Sequence, residues 1–181
     1  MRKQMIESIV IPEGVSCELS GKTLSCKKGS ETLSRKIIGS ELEISIKDGK
    51  IIIECKKGNR SDYASIKSLE AHIKNMFTGL NHSFTYSLEA CNVRFPMTLK
   101  IDGNKFIVTN FLGEKTPRLA KIVSGAKVEI KGQKIMVSSN DKESAGQTAA
   151  NIEKATRVRN RDRRIFQDGI YIVSKPGSES Q

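Results

Sequence analysis

In this 181-residue chain, the run RVRNRDRR, from Arg157 to Arg164, holds the residue types that most directly imply chemistry. Arg157, Arg159, Arg161 and Arg163 recur at every second position, and Arg164 follows. In an extended chain the alternating four would share one edge at a spacing of about 6.6 Å. In a helix, Arg157, Arg161 and Arg164 would share a face instead. Either geometry points a row of guanidinium forks one way, which suits bidentate contacts with phosphate that ammonium groups cannot reproduce. A solvated charge run is the plainer alternative, but Asp162 is the one acid among five arginines and leaves little for internal pairing. The following IFQDGIYI places Phe166, Ile170 and Ile172 around the turn residues Asp168 and Gly169, so the basic arm is expected to be anchored. Tyr171 is suited either to stacking on a base or to burial.

A second polar candidate is NFLGEKTPR, from Asn110 to Arg118, a loop between two strand patterns. Lys115 and Arg118 are placed to reach phosphates, and Gly113 permits close backbone approach; an ordinary loop with solvated charges fits the spacing equally well. In the first half, Lys27, Lys28, Arg35 and Lys36 form a diluted basic set best read as solvated. The whole chain carries 31 basic and 20 acidic residues, a formal charge of +11. Residues 1–80 hold 14 basic against 10 acidic and residues 81–181 hold 17 against 10, so the excess lies in the second half. Such a balance implies a polyanionic partner, and nucleic acid before a membrane surface, since no basic amphipathic helix or lipidation signal is present.

Catalytic patterns are missing. His72 and His82 have no nucleophile beside them in sequence, and the glycines make neither a GxGxxG nor a GxxxxGK[ST] loop. Asp48, Asp102 and Asp168 each precede or adjoin glycine and read as turn residues. Cys17, Cys26, Cys55 and Cys91 never approach CxxC spacing, which argues against zinc; the first three lie in strand-like segments as small apolar side chains. No enzyme activity, cofactor, metal or small-molecule substrate is therefore expected. No apolar run approaches the roughly 20 residues that cross a bilayer, and MRKQMIESIVIPEG lacks the apolar stretch of a secretory signal. A cytoplasmic location is expected.

The elements that must carry these residues are written twice. At an offset of 84, LEISIKDGKIIIEC from Leu42 falls on AKVEIKGQKIMVSS from Ala126, so that Ile44, Ile46, Ile51 and Ile53 match Val128, Ile130, Ile135 and Val137. Each copy is a β-hairpin with period-2 alternation and a glycine turn. At an offset of 82, CELSGKTLSC from Cys17 matches LKIDGNKFIV from Leu99, Gly21 falling on Gly103 and Leu24 on Phe106. After the hairpins of the first half, Ile66, Leu69, Ile73 and Met76 repeat at helical steps within residues 63–77, with Ser61 as the expected cap and Gly79 as the expected stop. The second half uses the smaller Ala145, Ala149, Ile152 and Thr156. The fold class is thus α+β: two tandem, duplicated domains, each an antiparallel β-sheet covered on one face by an α-helix. The expected domains are 1–80 and 81–181, the second with an arginine-rich extension at 157–175.

The strings FPMTLKIDGN, NFLGEKTPR, AKVEIKGQKIMV and GQTAANIEKATRVRNRDRRIFQDGIYIV resemble the large-ribosomal-subunit protein L-six family in its archaeal and eukaryotic form. The similarity covers essentially the whole chain and is more specific in the second half; length and tail favour the archaeal branch. The resemblance implies a structural, non-catalytic constituent of the large ribosomal subunit. Its partner would be large-subunit (23S-type) ribosomal RNA near the sarcin-ricin loop and the stalk base, among neighbouring ribosomal proteins and close to the translation-factor binding region. The implied RNA-binding residues are Lys115, Arg118, Gln147, Asn151, Arg157, Arg159, Arg161, Arg163 and Arg164. SCELSGKTLSC and the serine-rich stretch from Glu31 to Ser40 depart from the family's usual wording, so RNA contacts in the first domain do not follow. The rival expectation is a general nucleic-acid-binding or chromatin-type protein without a fixed ribosomal address.

Overall fold

The computed structural model describes residues 3–37, 42–93 and 95–177. The chain divides into two units, Met1–His82 and Ser83–Gln181. The first runs β1 (Lys3–Val10), β2 (Ser16–Ser20), β3 (Thr23–Lys28), β4 (Glu31–Lys36), β5 (Glu43–Lys47), β6 (Lys50–Gly58) and α1 (Arg60–Asn81). Its strands form two antiparallel sheets, ordered β1-β6-β5 and β2-β3-β4. The repeated hairpin is β5–β6, with Ile44 opposite Ile53 and Ile46 opposite Ile51. Asp48 and Gly49 both take positive φ, 48° and 69°, the twist a two-residue hairpin turn requires. Expected residues 38–40 of the serine-rich stretch lie outside the described chain.

Helix α1 covers this unit's core with Ile66, Leu69, Ile73, Met76, Phe77 and Leu80, packed on Ile51, Ile53 and Cys55 of β6 and Leu24 and Cys26 of β3. Each such side chain contributes about 1.5–3 kcal/mol by leaving water. The helix extends beyond the expected residues 63–77 at both ends. Its N-cap is Asn59, not Ser61: the Asn59 side chain accepts from Ser61 N (2.7 Å) and Asp62 N (3.0 Å), and the Asp62 carboxylate accepts from Asn59 N (2.8 Å). This reciprocal box satisfies several end donors at once. Gly79 lies buried inside the last turn and does not stop the helix, because Phe77 and Leu80 continue the apolar face and their burial outweighs a glycine cost of about 1 kcal/mol. Cys26 and Cys55 are buried thiols, and half-buried Cys17 sits opposite Cys26 across β2–β3 with 2.9 Å between the sulfurs. Burial pushes both of those thiols up from their ordinary range.

The second unit repeats the order as β7 (Phe84–Cys91), β8 (Thr98–Asp102), β9 (Lys105–Thr109), β10 (Arg118–Lys121), β11 (Lys127–Lys131), β12 (Lys134–Ser139) and α2 (Lys142–Ala155), then adds β13 (Gly169–Ser174). The sheets are ordered β10-β9-β8 and β11-β12-β7-β13. Val128 faces Val137 and Ile130 faces Ile135, the same cross-strand pairs as in the first unit. The tandem α+β plan implied by the internal repeat is present, with the strands of each unit shared between two antiparallel sheets. Asp141 caps α2 by accepting from Glu143 N and Ser144 N, both at 3.1 Å. Ala145, Thr148, Ala149 and Ile152 form the buried face of α2, and Thr148 accepts from Val123 N at 3.1 Å. The additional β13 pairs with the edge of β7, Ile170 opposite Ala90 and Ile172 opposite Leu88. Among the described residues no helix is long and apolar enough to cross a membrane.

Candidate nucleic-acid interface

The arginine run takes neither of the two regular geometries open to it. Helix α2 ends at Ala155 and β13 begins at Gly169, so residues 157–168 form an irregular arm joining helix to strand. Val158 prevents a one-sided row: it is buried at 8% exposure, while Arg157, Arg159, Arg161, Arg163 and Arg164 are all exposed. The base of the arm is stapled. Thr156 donates to Glu153 O (3.2 Å) and accepts from Ile170 N (2.9 Å), and Glu153 accepts from Ile172 N (3.2 Å). Asp168, expected to be a turn residue, is 2% exposed and accepts from Val93 N at 2.8 Å, which ties the end of the arm to the segment after β7.

Only one of the five guanidinium groups is neutralised by a carboxylate among the described residues. Arg164 pairs with Asp162 at 2.8 Å, and this partner holds the Asp162 carboxyl below the usual carboxylate range. Arg161 lies 4.9 Å from the centre of the Phe166 ring, and Arg157, Arg159 and Arg163 carry no salt bridge among the described residues. A cleft of about 420 Å³ opens between α2 and the arm, lined in part by Lys154, Arg157, Val158, Arg163 and Tyr171. The Tyr171 hydroxyl donates to Gln167 O at 3.1 Å, so its polar end is engaged within the arm.

The NFLGEKTPR loop packs beside this arm through Arg118. The Arg118 guanidinium donates to both Glu114 oxygens (2.8 and 2.6 Å), to Ala155 O (3.0 Å) and to Arg157 O (3.1 Å), and it lies 4.1 Å from the centre of the Phe111 ring. It is therefore a clamp between loop and arm, with most of its donors spent inside the protein. The Arg118 hydrogen bond, reinforced by the charges of Arg118 and Arg161, holds the Glu114 carboxyl below its ordinary range. Asn110 and Leu112 take left-handed backbone with φ of 61° and 50°, which costs of order 1–3 kcal/mol each for non-glycine residues. Opposing that strain are fully buried Phe111 beneath the Arg118 stack and the Asn110 side chain, which donates to Pro96 O at 3.0 Å.

Lys115 projects from the same loop and is exposed. Gln147 and Asn151 lie one turn apart on α2: Gln147 donates to Asn151 (2.8 Å), which donates to Lys121 O (2.9 Å) at the end of β10. The structure thus joins Arg118 to the base of the arm, leaves Lys115 exposed on the same loop, and sets the Gln147–Asn151 pair on the helix leading into the arm. Sequence patterns passed over Glu114 although Arg118 is four positions on, and they gave Thr156 and Asp168 other roles, a helix face and a turn, because the partners Ile170 and Val93 lie 14 and 75 positions away. Among the described residues no His, Cys, Asp or Glu cluster could hold a metal ion.

Fold and site define a duplicated α+β protein whose second unit carries a stapled arm of five exposed arginines. The family described as Ribosomal protein L6 matches residues 95–169, from the segment before β8 to the first residue of β13. The large ribosomal subunit protein uL6 of Methanococcus vannielii is 43% identical over 171 residues, 94% of this chain and 94% of its own length. Its counterparts in Methanosarcina mazei and Methanocella arvoryzae are 38% and 39% identical over 97% of this chain and 99% of their own lengths. All three relatives are archaeal. The chain belongs to the ribosomal protein L6 family.

Proposed function

We propose that this chain is a structural constituent of the large ribosomal subunit, working in the cytoplasm. Its second unit binds large-subunit ribosomal RNA near the sarcin-ricin loop and the stalk base. There, among neighbouring ribosomal proteins, it supports the surface on which translation factors act. The observation that carries the RNA contact is the stapled arm, where five exposed arginines face one carboxylate. Arg157, Arg159, Arg161 and Arg163 neutralise phosphates, while Arg164, already paired with Asp162, adds a weaker contact. Lys115, Gln147 and Asn151 extend the contact, and Arg118 serves it by holding loop and arm together.

If four arginines each neutralise one phosphate, together they contribute roughly −2.8 to −3.6 to the log–log slope of RNA affinity against salt. Replacing Arg157, Arg159, Arg161 and Arg163 together with alanine removes that contribution, leaves the smaller part due to Lys115 and Arg164, and leaves the thermal transition nearly unchanged. A slope near −1 for the intact protein defeats the phosphate assignment. Hydroxyl-radical footprinting of the reconstituted large subunit tests the address: protection must fall at the sarcin-ricin loop and stalk base, and protection elsewhere refutes it. Equal affinity for duplex DNA and ribosomal RNA would favour a general nucleic-acid binder.

A further inference from the structure

We infer that Phe95 is a nucleobase-stacking residue, on which one unstacked base of the RNA partner rests at the rim of the arginine arm; this extends the RNA-binding role proposed above. Phe95 is 45% exposed, a large share for a phenylalanine beside a folded loop. Its position is nevertheless fixed. The far end of its ring rests on Gly113, where an added β-carbon would lie 3.7–3.8 Å from three ring atoms. The backbone on either side is held by Asn110 bonding to Pro96 O at 3.0 Å and by Val93 N bonding to buried Asp168 at 2.8 Å. An aromatic ring held in place and left uncovered loses little freedom when a base stacks on it, which is the physical requirement of a stacking platform.

The charges around it point to the same ligand. Gly113 adjoins Glu114, whose carboxylate is paired with Arg118 and lies within the influence of Arg161. The ring therefore rests on the residue next to Glu114, an acid already paired with Arg118. Proteins that bind unpaired nucleic acid combine this pair of features, cations for the backbone and an aromatic face for a base. Phenylalanine offers no polar group for reading a base edge, so the platform accepts any of the four bases. Asp168 and Gly113 acquire a common role in this arrangement: one anchors the segment that carries the ring, and the other leaves room for its tip.

The test uses the intact protein and transcribed archaeal large-subunit ribosomal RNA, titrated by filter binding over a range of salt concentrations. Phe95→Ala and Phe95→Leu should each weaken binding about 5- to 150-fold. Phe95→Tyr should stay within about twofold of the unsubstituted protein, because the ring is kept. The salt slope should be unchanged in all three, since stacking displaces no counterions. Phe95→Leu retains apolar volume, so wild-type affinity in that variant overturns the platform. A loss in Phe95→Ala that Phe95→Leu fully restores likewise makes the ring a packing element only. Failure of the unsubstituted protein to bind the RNA refutes the RNA-binding role itself, and the platform with it.

Discussion

Replacing Arg118 with alanine separates a clamp from a phosphate contact. The substitution deletes two bonds to backbone carbonyls, each worth about 1 kcal/mol. It also removes the paired bonds to Glu114 and the stack on Phe111, each discounted to about 0.5–1 kcal/mol because the Arg118 and Glu114 side chains are 22% and 39% exposed. These terms are not additive, and a loss of about 2–3 kcal/mol is expected. For a unit of this size that lowers its melting temperature by roughly 10–20 °C. Calorimetry on the whole chain measures the shift, and RNA titration against salt supplies the second readout. The clamp variant should bind RNA less tightly with nearly the same slope, because the arginines of the arm remain. An unchanged melting temperature together with a slope reduced by about 1 would identify Arg118 as a direct phosphate contact and refute the clamp.

Further expectations concern the supports of the site. The Glu114 carboxyl titrates below its ordinary value, about 4.3, so its stabilising contribution is complete above that pH and disappears as the pH falls through the lower, folded value. Glu114→Gln should therefore be less stable than the unsubstituted protein at pH 7 by up to about 1 kcal/mol, the two converging in acid; a pH-independent difference in thermal unfolding contradicts the ion pair. Thr156→Val leaves the buried Ile170 N–H without its acceptor and should cost about 1–3 kcal/mol. Hydrogen exchange at Ile170 checks this, and exchange as slow as in the unsubstituted protein counts against the staple. Asn59→Ala, which breaks the capping box of α1, should cost about 1 kcal/mol and leave the second unit's melting unaffected.

Where pattern and structure agree, the cause is local. The four hairpins were legible because alternating apolar residues and a glycine turn determine both register and buried face, and the Ile44–Ile53 and Val128–Val137 pairs share that wording. The helix faces were legible for the same reason, from the three- and four-residue steps of Ile66, Leu69, Ile73 and Met76. The limits of α1 were less legible, since Asn59 and Ser61 are both competent caps and the reciprocal bond from Asp62 decides between them. At the site, residue types were legible and geometry was not. Arg118 looks like any basic loop residue until its acceptors are known, and two of these are carbonyls 37 and 39 positions away. Asp168 beside Gly169 reads as a turn, yet its partner lies 75 positions upstream. Alternation in RVRNRDRR promised a row, and burial of Val158 turns it into an irregular arm.

Closure of that arm between α2 and β13 also governs the entropy of association. Fixing the backbone of a flexible segment costs about 1–2 kcal/mol per residue, so a twelve-residue segment with five arginines on a free tail would surrender much of its charge attraction to ordering. Here residues 157–168 are tied at Thr156, Val158 and Asp168, and most of that loss falls on folding of the unit. In the RNA-binding role proposed above, the arm would arrive preorganised, its affinity limited by desolvation and fit more than by disorder.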